Sequence, residues 1–206
     1  MNFFSSKPRL VGLVSALLVV CGLLLTVLLG AYLVYIRRDG RPTVRMLAKS
    51  LPIASLGSQR ISYGAFLSAR DAVQVYLASD AAKQVGLNRP FGADLEKSVL
   101  DRLMREAAIS DLAERRRISL PDAQVRVAFA ELVLSTSSTL PNVAQYLEDA
   151  FHWTEEEYRQ NILRPVLLEE HLAAAMASTT EASYAALDTA IRERLSKPDV
   201  KIYLSF

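Results

Sequence analysis

Hydrophobic residues are arranged along this chain in two ways, as one long uninterrupted run and as shorter periodic stripes. The run covers Leu10 to Ile36, 27 residues that include no Asp, Glu, Lys or Arg. At about 1.5 Å per residue, a helix of this length spans about 40 Å, which exceeds the roughly 30 Å hydrocarbon core of a bilayer. The run therefore predicts a transmembrane helix at 10–36, with residues 1–9 before it and a basic linker at 37–50 after it.

A cleaved signal peptide is the alternative interpretation of this run. Signal peptides have an apolar region of about 7–15 residues that ends at a small-residue cleavage site. The run is longer than that, and Gly30-Ala31 fits such a cleavage site poorly. We therefore expect an uncleaved membrane anchor.

From residue 63 onward, apolar side chains recur at helical spacing and predict a mainly α-helical domain within 51–206. The predicted helices cover 63–84, about 93–116, a segment that begins near Pro121, 143–151, 154–172 and 181–195. The helix that begins near Pro121 is expected to bury one set of side chains. They are Val125, Ala128, Phe129, Leu132 and Val133.

The stretch from Phe151 to Leu172 carries two local signals. Thr154 and Glu157 have the T-x-x-E spacing of a capping box, in which each side chain satisfies a backbone N–H of the first helical turn. Pro165 lies further along the same predicted helix and cannot donate to the carbonyl of residue 161. We expect a helix that begins at the capping box and kinks at the proline.

Two short β segments lie at opposite ends of the predicted domain. One covers 53–56, and the other lies near 200–205, where alternation places Val200, Ile202, Leu204 and Phe206 on one face. Because a single strand is not stable alone, we expect the two segments to pair. The prediction is a small two-stranded sheet that joins the N-terminal and C-terminal segments of the helical domain.

Charge is distributed unevenly between the two parts of the chain. Seven basic residues and one acidic residue precede residue 51, which leaves 17 basic and 21 acidic residues in 51–206. The positive charge therefore belongs to the flanks of the apolar run, and the domain itself is mildly acidic. Nucleic-acid binding requires clustered basic residues on the folded domain, so we expect no nucleic acid among the partners.

No catalytic motif is recognisable. The lone cysteine, Cys21, lies inside the apolar run, and the two histidines, His152 and His171, are far apart in sequence. The acidic runs at 155–157 and 169–170 are typical of a helix cap and of a solvated helix face. The sequence therefore predicts a protein that is not an enzyme and that uses neither a cofactor nor a metal.

Three stretches of the chain resemble a known family when they are taken together. "IASLGSQRISYGAFL", "VLDRLMREAAISDLAERRRISLPDAQV" and "FHWTEEEYRQNILRPVLLEEHL" resemble the N-terminal domain of SurA-type periplasmic chaperones and their membrane-anchored relatives. The resemblance covers about 53–177, together with a helix and strand in 181–206. Gly57-Ser58 stands where the family usually has Asn-Gly, and this still permits a tight turn because glycine accepts a positive φ.

The resemblance implies a bacterial, membrane-anchored chaperone whose 51–206 domain lies outside the cytoplasm. Its partners would be unfolded or nascent secreted and membrane proteins, and residues 10–36 would hold it in the bilayer. Family members often carry a prolyl isomerase domain of the parvulin type, for which the 29 residues after Ala177 leave no room. We therefore expect chaperone-like binding without isomerase activity.

Two other functions remain open at this stage. The same fold can serve as a docking module in a structural subunit of a membrane complex, or the chain can be a degenerate isomerase. The orientation is also contested, because Arg37, Arg38, Arg41 and Arg45 follow the apolar run and would favour a cytoplasmic C-terminal side. The family resemblance favours the opposite orientation, with residues 1–9 in the cytoplasm, and we adopt that one.

Three aromatic residues are candidates for polypeptide binding. Phe151, Trp153 and Tyr158 lie around the start of the proline-containing helix. One interpretation is that they anchor that helix in the core of the domain. The other is that they line an apolar groove for an extended polypeptide, since exposed apolar surface is what such chaperones use to recognise clients.

Overall fold

The computed structural model describes residues 28, 32, 49–87, 89–136, 142–176 and 180–204. The chain separates into two compact units, Met1–Leu51 and Pro52–Phe206. The predicted transmembrane helix at 10–36 and linker at 37–50 fall almost entirely outside the described residues and stay predictions. Over the residues that are described, no helix combines the length and the apolar character needed to span a bilayer.

The second unit is mainly helical with a small antiparallel sheet, which confirms the predicted fold class at that level. Its elements are β1 (Pro52–Leu56), β2 (Gln59–Ser62), α1 (Tyr63–Ala78), α2 (Asp80–Gln84), α3 (Ala93–Arg115), α4 (Asp122–Thr136), α5 (Val143–Phe151), α6 (Glu155–Tyr158), a π-helical segment (Arg159–Leu163), α7 (Arg164–Ala174), α8 (Thr180–Leu195) and β3 (Val200–Ile202).

The sheet has three strands in the order β2-β1-β3, so the prediction of a two-stranded sheet is wrong. The expected pairing of the two ends is present, with Ala54 opposite Ile202 and Leu56 opposite Val200. The additional strand is β2, which follows β1 through a tight turn at Gly57 (φ +61°). Two residues suffice for this hairpin because glycine adopts a positive φ without steric cost.

Serine side chains set the helix boundaries that follow the hairpin. Ser62 caps α1, and its Oγ accepts a hydrogen bond of 3.1 Å from the N–H of Ala65. Ser79 interrupts the predicted 63–84 helix, because its extended backbone ends α1 while its Oγ accepts from the N–H of Ala82 and so begins α2. A side chain that caps a new helix start competes with continuation of the old helix, and this explains the break.

Helix α3 is the centre of the unit, because it contacts α1, α7, α8 and both β1 and β2. Its Arg105 donates to Glu169 of α7 at 2.6 Å and to Asp188 of α8 at 2.8 Å. Fully buried apolar side chains from α3 and from several other elements form the core. The largest of them are Ile53, Leu56, Ile109, Leu172, Leu187 and Val125. Truncation of such side chains to alanine costs about 2–5 kcal/mol each.

The C-terminal part of the unit is fastened by a buried ion network. Arg194, in the last turn of α8, donates to Asp111 of α3 at 2.7 Å and to Asp199 at 2.9 and 3.0 Å. The Arg194 side chain is 5% exposed and that of Asp111 is 8% exposed. The network positions the chain just before β3, which is then aligned against β1.

Candidate functional site

Two of the three candidate aromatic residues belong to a stacked cluster. The ring of Phe151 is parallel to that of Tyr76, with centroids 5.3 Å apart, and stacks on Trp153 at 5.5 Å. Tyr146 meets Phe151 edge-on at 6.3 Å, and Trp153 is 5% exposed. Aromatic pairs of this kind contribute about 0.5–1.5 kcal/mol beyond their buried area. The cluster therefore fastens α5 to α1.

The third candidate, Tyr158, belongs to a neighbouring cluster. Its ring is 6.1 Å from that of Phe129, and the guanidinium of Arg159 lies 5.4 Å from the centre of the Phe129 ring. Burial raises the pKa of the Tyr158 hydroxyl, and the nearby Tyr146 adds to this. Phe129 of α4 therefore contacts both Tyr158, the last residue of α6, and Arg159, the first residue of the π-helical segment. These contacts join α4 to the π-helical segment.

A sharp turn followed by a capping box places Trp153 and Tyr158. His152 ends α5 in the left-handed region (φ 54°, ψ 40°), and its N–H donates to the Glu148 carbonyl at 2.9 Å. Thr154 and Glu157 then form the predicted capping box, since each side chain accepts a backbone N–H of the other residue. This confirms the sequence signal that begins the long helix.

A π-helical segment, which has a wider turn than an α-helix, lies just before Pro165, where the sequence predicted a kink. Arg159–Leu163 is a π-helical segment in which the N–H of Arg164 donates to the carbonyl of Arg159, five residues back. Pro165 follows at the start of α7 and has no N–H to donate. A widened turn before a proline redirects the side chains on that turn, and such segments are frequent at functional sites.

Helix α4 has apolar side chains on two opposite sides. Val125 and Phe129 are buried against the unit. A second set of apolar residues is spaced four, three and four apart, and all its members are exposed. They are Ala123, Val127, Ala130 and Leu134. At 3.6 residues per turn, this set falls within a sector of about 60° on the far side of the helix from Phe129. We call this set the outer stripe of α4.

A shallow groove of about 350 Å³ lies beside the outer stripe, between α4 and α7. Its lining is mostly apolar. The residues that line it are Leu120, Ala123, Gln124, Val127, Ala128, Glu131, Leu167 and His171. Val127 belongs to both the stripe and the groove and is 57% exposed, and Leu134 at the end of the stripe is 74% exposed. The outer stripe and the groove share Ala123 and Val127 and therefore adjoin each other.

Arg164 holds the two walls of the groove together. Its Nη1 donates to the Leu120 carbonyl at 3.2 Å, and its Nη2 is paired with the Asp122 carboxylate. Arg164 is the first residue of α7, whereas Asp122 is the first residue of α4. The starts of the two helices that border the groove are therefore joined by an ion pair.

Of the five α4 residues expected to be buried, Val125 and Phe129 are buried, and the prediction is wrong for Leu132. Leu132 was expected to be buried and is 37% exposed, and Ala128 lines the groove. The 4-3-4 spacing of the outer stripe was visible in the sequence. A helix with apolar residues on two opposite sides is the signal that could have identified this surface, because one core can bury only one side.

Metal ligation receives no support from the side chains that the structure describes. No group of three or more His, Cys, Asp or Glu residues there is arranged to hold a metal ion. His152 has a structural position at the end of α5, whereas His171 lines the groove.

Comparison of the chain with protein-family models, with curated proteins and with solved structures found no match. The resemblance to SurA-type chaperones therefore rests on the sequence stretches alone and stays a prediction.

Proposed function

We propose that this protein binds unfolded or translocating polypeptides through the outer stripe of α4 and the groove beside it. The observation that supports this most is the exposure of Val127 and Leu134 on a helix whose other side is already buried. Large contiguous apolar patches mark interaction sites, and we propose that the outer stripe and the adjoining groove form such a patch. The predicted anchor at 10–36 would hold this surface near a membrane, on the extracytoplasmic side.

The chemistry of the surface favours binding of limited specificity. Its apolar members offer area and few directional groups, and apolar burial contributes about 25 cal/mol per Å² whatever the sequence that covers it. Gln124, Glu131 and His171 supply polar groups at the groove. A client segment with apolar side chains would be held transiently, which suits a chaperone that releases its clients for folding.

An aggregation assay tests the proposal. The Pro52–Phe206 unit is mixed with a chemically unfolded model client, and light scattering is followed over time. We expect the wild-type unit to slow aggregation and the double variant Val127→Ser/Leu134→Ser to lose most of that effect. The matched control is Val85→Ser/Leu87→Ser, because Val85 and Leu87 are also exposed, at 62% and 51%, but lie elsewhere on the surface.

Two results would contradict the proposal. One is equal aggregation rates with and without the wild-type unit. The other is an equal loss of protection in both double variants. That result would show that protection of the client does not depend on the outer stripe in particular. Thermal melting of all three proteins should agree closely, because surface substitutions away from packed features change stability by about 0.5 kcal/mol or less.

A dedicated docking module is the second candidate, and the pattern on α4 favours it specifically. The 4-3-4 spacing of the outer stripe is that of a coiled-coil seam, and Arg126 and Glu131 flank the seam on opposite sides. Charge reversal by Arg126→Glu separates the two functions. It would weaken capture of a single helical partner, measured by crosslinking, and leave protection of unfolded clients nearly unchanged.

Membrane orientation needs its own experiment. Reporter enzymes fused after residue 206, each active on only one side of the membrane, would report where the second unit lies. We expect activity of the extracytoplasmic reporter. Activity of the cytoplasmic reporter alone would contradict the proposed location and favour the arginine-rich flank as the determinant of topology.

A further inference from the structure

The small sheet has one face that packs on the helices and one face that is open to solvent. Ala54 and Leu56 of β1 and Ile61 of β2 are buried. Because successive side chains of a strand point to opposite faces, the residues between them belong to the other face. A shallow concavity of about 670 Å³ lies there and shares no lining residue with the groove of α4. Its central members, which we call the outer face of the sheet, are Ser55, Arg60, Lys201 and Tyr203.

The strand register places one basic residue on each side of Ser55. Arg60 of β2 and Lys201 of β3 are both paired with Ser55 of the central strand β1. Residues directly opposite each other in a ladder share a face, and neighbouring strands are about 4.8 Å apart, so the Cα atoms of the two basic residues are about 10 Å apart. The hydroxyls of Ser55 and Tyr203 lie 3.3 Å from each other. The outer face therefore presents two cations together with a pair of hydroxyl groups.

The positive charge of the outer face is not balanced by the acidic residue beside it. Asp199 lines the concavity, but its two carboxylate oxygens accept from Arg194 at 2.9 and 3.0 Å. That hydrogen bonding lowers the pKa of Asp199, so the carboxylate stays ionised and paired with Arg194. Neither Arg60 nor Lys201 forms an ion pair with any side chain in the described part of the chain. The outer face therefore carries two uncompensated positive charges on a unit that is acidic as a whole.

The chain enters the unit at the rim of the same concavity. Pro52 is the first residue of β1 and lines the concavity. The basic linker at 37–50 and the predicted membrane anchor at 10–36 precede it in the sequence. The concavity thus includes the residue of the unit that is nearest to the predicted anchor along the chain. Tethering raises the effective concentration of one surface at another, so a weak attraction between them is sufficient for binding.

We propose that the outer face of the sheet docks on an anionic phospholipid surface, with Arg60 and Lys201 bound to lipid phosphate groups. Arginine and lysine donate charge-assisted hydrogen bonds to phosphate, and basic residues next to a membrane are attracted by its anionic lipids. Tyr203 is 46% exposed, and tyrosine rings favour the headgroup level of a bilayer. The inference rests on the membrane anchor of the proposed function, but it makes no use of the client-binding surface on α4.

Energy transfer from a fluorophore on the protein to labelled lipid measures the docking. The full-length chain carries Cys21→Ala and Ser58→Cys, so that the donor is attached at an exposed position next to Gly57, which lines the concavity. It is reconstituted in nanodiscs of phosphatidylcholine alone or of an equal mixture with phosphatidylglycerol, each with a headgroup-labelled acceptor. We expect more transfer in the anionic discs. The difference should disappear in about 1 M salt, where the Debye length falls to about 3 Å.

Variants with matched charge make the assignment specific. Each basic residue near an anionic membrane strengthens binding about fivefold, so Arg60→Gln/Lys201→Gln should lower the ratio of docked to undocked protein about 25-fold. The two single variants should each lower it about fivefold, so the test does not depend on the double variant alone. Lys83→Gln/Lys97→Gln is the control, because it removes the same charge from exposed residues outside the concavity. It should change the ratio little.

Three results would overturn the proposal. Equal transfer in the two lipid compositions would show that the outer face does not dock on anionic lipid. Equal loss of docking in both double variants would show that net charge alone is responsible. Release of the docked unit by millimolar glycerol phosphate would show that the face recognises a free phosphate group and not a lipid surface. The aggregation assay remains an independent test of client binding, because Arg60→Gln/Lys201→Gln should protect the client as the wild type does.

Discussion

Arg194 Nε donates a hydrogen bond of 2.7 Å to Asp111 Oδ2, and the two residues are 83 positions apart in the chain. Both side chains are almost fully buried, and the same guanidinium is paired with Asp199 in front of β3. A buried ion pair is costly to break, because the remaining partner keeps its charge without compensation. The last helix and the last strand of the unit therefore depend on this one arginine.

Replacement of Arg194 is the most damaging single change that we expect in the ion network. Arg194→Met should lower the free energy of unfolding by about 3 kcal/mol, near the lower end for a broken buried pair, because Arg115 still donates to Asp111 at 2.7 Å. Chemical denaturation measured by circular dichroism tests this. Arg192→Met is the matched control, since Arg192 is an exposed residue on the same turn of α8, and it should change stability little.

The same network predicts how stability depends on pH. Burial acts to raise the pKa of Asp111, but hydrogen bonds and charge from Arg194 and Arg115 outweigh it and hold that pKa below its ordinary value. The stabilisation is therefore complete above the unfolded-state pKa of about 3.9 and is lost as the pH falls through the depressed folded-state value.

Unfolding free energies measured between neutral pH and strong acid test this dependence. The wild type should lose stability below about pH 4, and Arg194→Met should lose less over the same interval because its Asp111 is stabilised less. Parallel curves for the two proteins would show that other carboxylates determine the acid sensitivity.

A comparison of Gly57 with Gly86 allows the energetic cost of a steric clash at Gly57 to be measured separately from the cost of its backbone conformation. Gly57 and Gly86 both have positive φ, at +61° and +71°. A Cβ on Gly57 would lie 3.0 Å from Arg194 Nη2 and 3.2 Å from Asp199 Oδ2, whereas a Cβ on Gly86 meets nothing within 4 Å. Each alanine costs about 1–2 kcal/mol for the left-handed backbone.

Gly57→Ala should therefore destabilise the unit more than Gly86→Ala does, because the Arg194 guanidinium is fixed by two carboxylates and cannot move aside freely. The difference between the two unfolding free energies isolates this steric effect. If the two variants are equally stable, the guanidinium yields more easily than its hydrogen bonds imply.

Trp153 should report unfolding and contribute strongly to stability. Since it is 5% exposed and stacks on Phe151, we expect a blue-shifted native emission that moves to longer wavelength on denaturation. Trp153→Ala should cost about 3–5 kcal/mol, as large aromatic truncations do. Tyr184→Ala is a control, because Tyr184 is 41% exposed. Similar costs for both would contradict an anchoring role for Trp153.

Local signals in the sequence predicted several elements closely. Helix α3 begins at Ala93 as expected, α5 has the predicted bounds of 143–151, and the capping box of Thr154 and Glu157 is present. These features depend on neighbouring residues, through spacing, capping and breaks, so a single sequence contains the information. The pairing of the first and last strands was inferable because an isolated strand is unstable.

Features that depend on distant residues were missed. Strand β2 has four residues of mixed polarity and exists because β1 lies beside it. Asp111 and Arg194 look like ordinary surface charges in their helices, and only the packing of α8 on α3 brings them together. The row of Arg60, Ser55 and Lys201 likewise exists only because both β2 and β3 pair with β1.

The antiparallel pairing of β1 with β3 determines how the unit responds to mechanical load. Because the strands run in opposite directions, Pro52 and Leu204 lie at the same end of the ladder, where the N–H groups of Tyr203 and Leu204 donate to the Ile53 carbonyl. Tension applied at these two points loads the hydrogen bonds between β1 and β3 one after another, beginning at this end of the ladder. The β1–β3 pairing would yield at low force, while β1 keeps its pairing with β2.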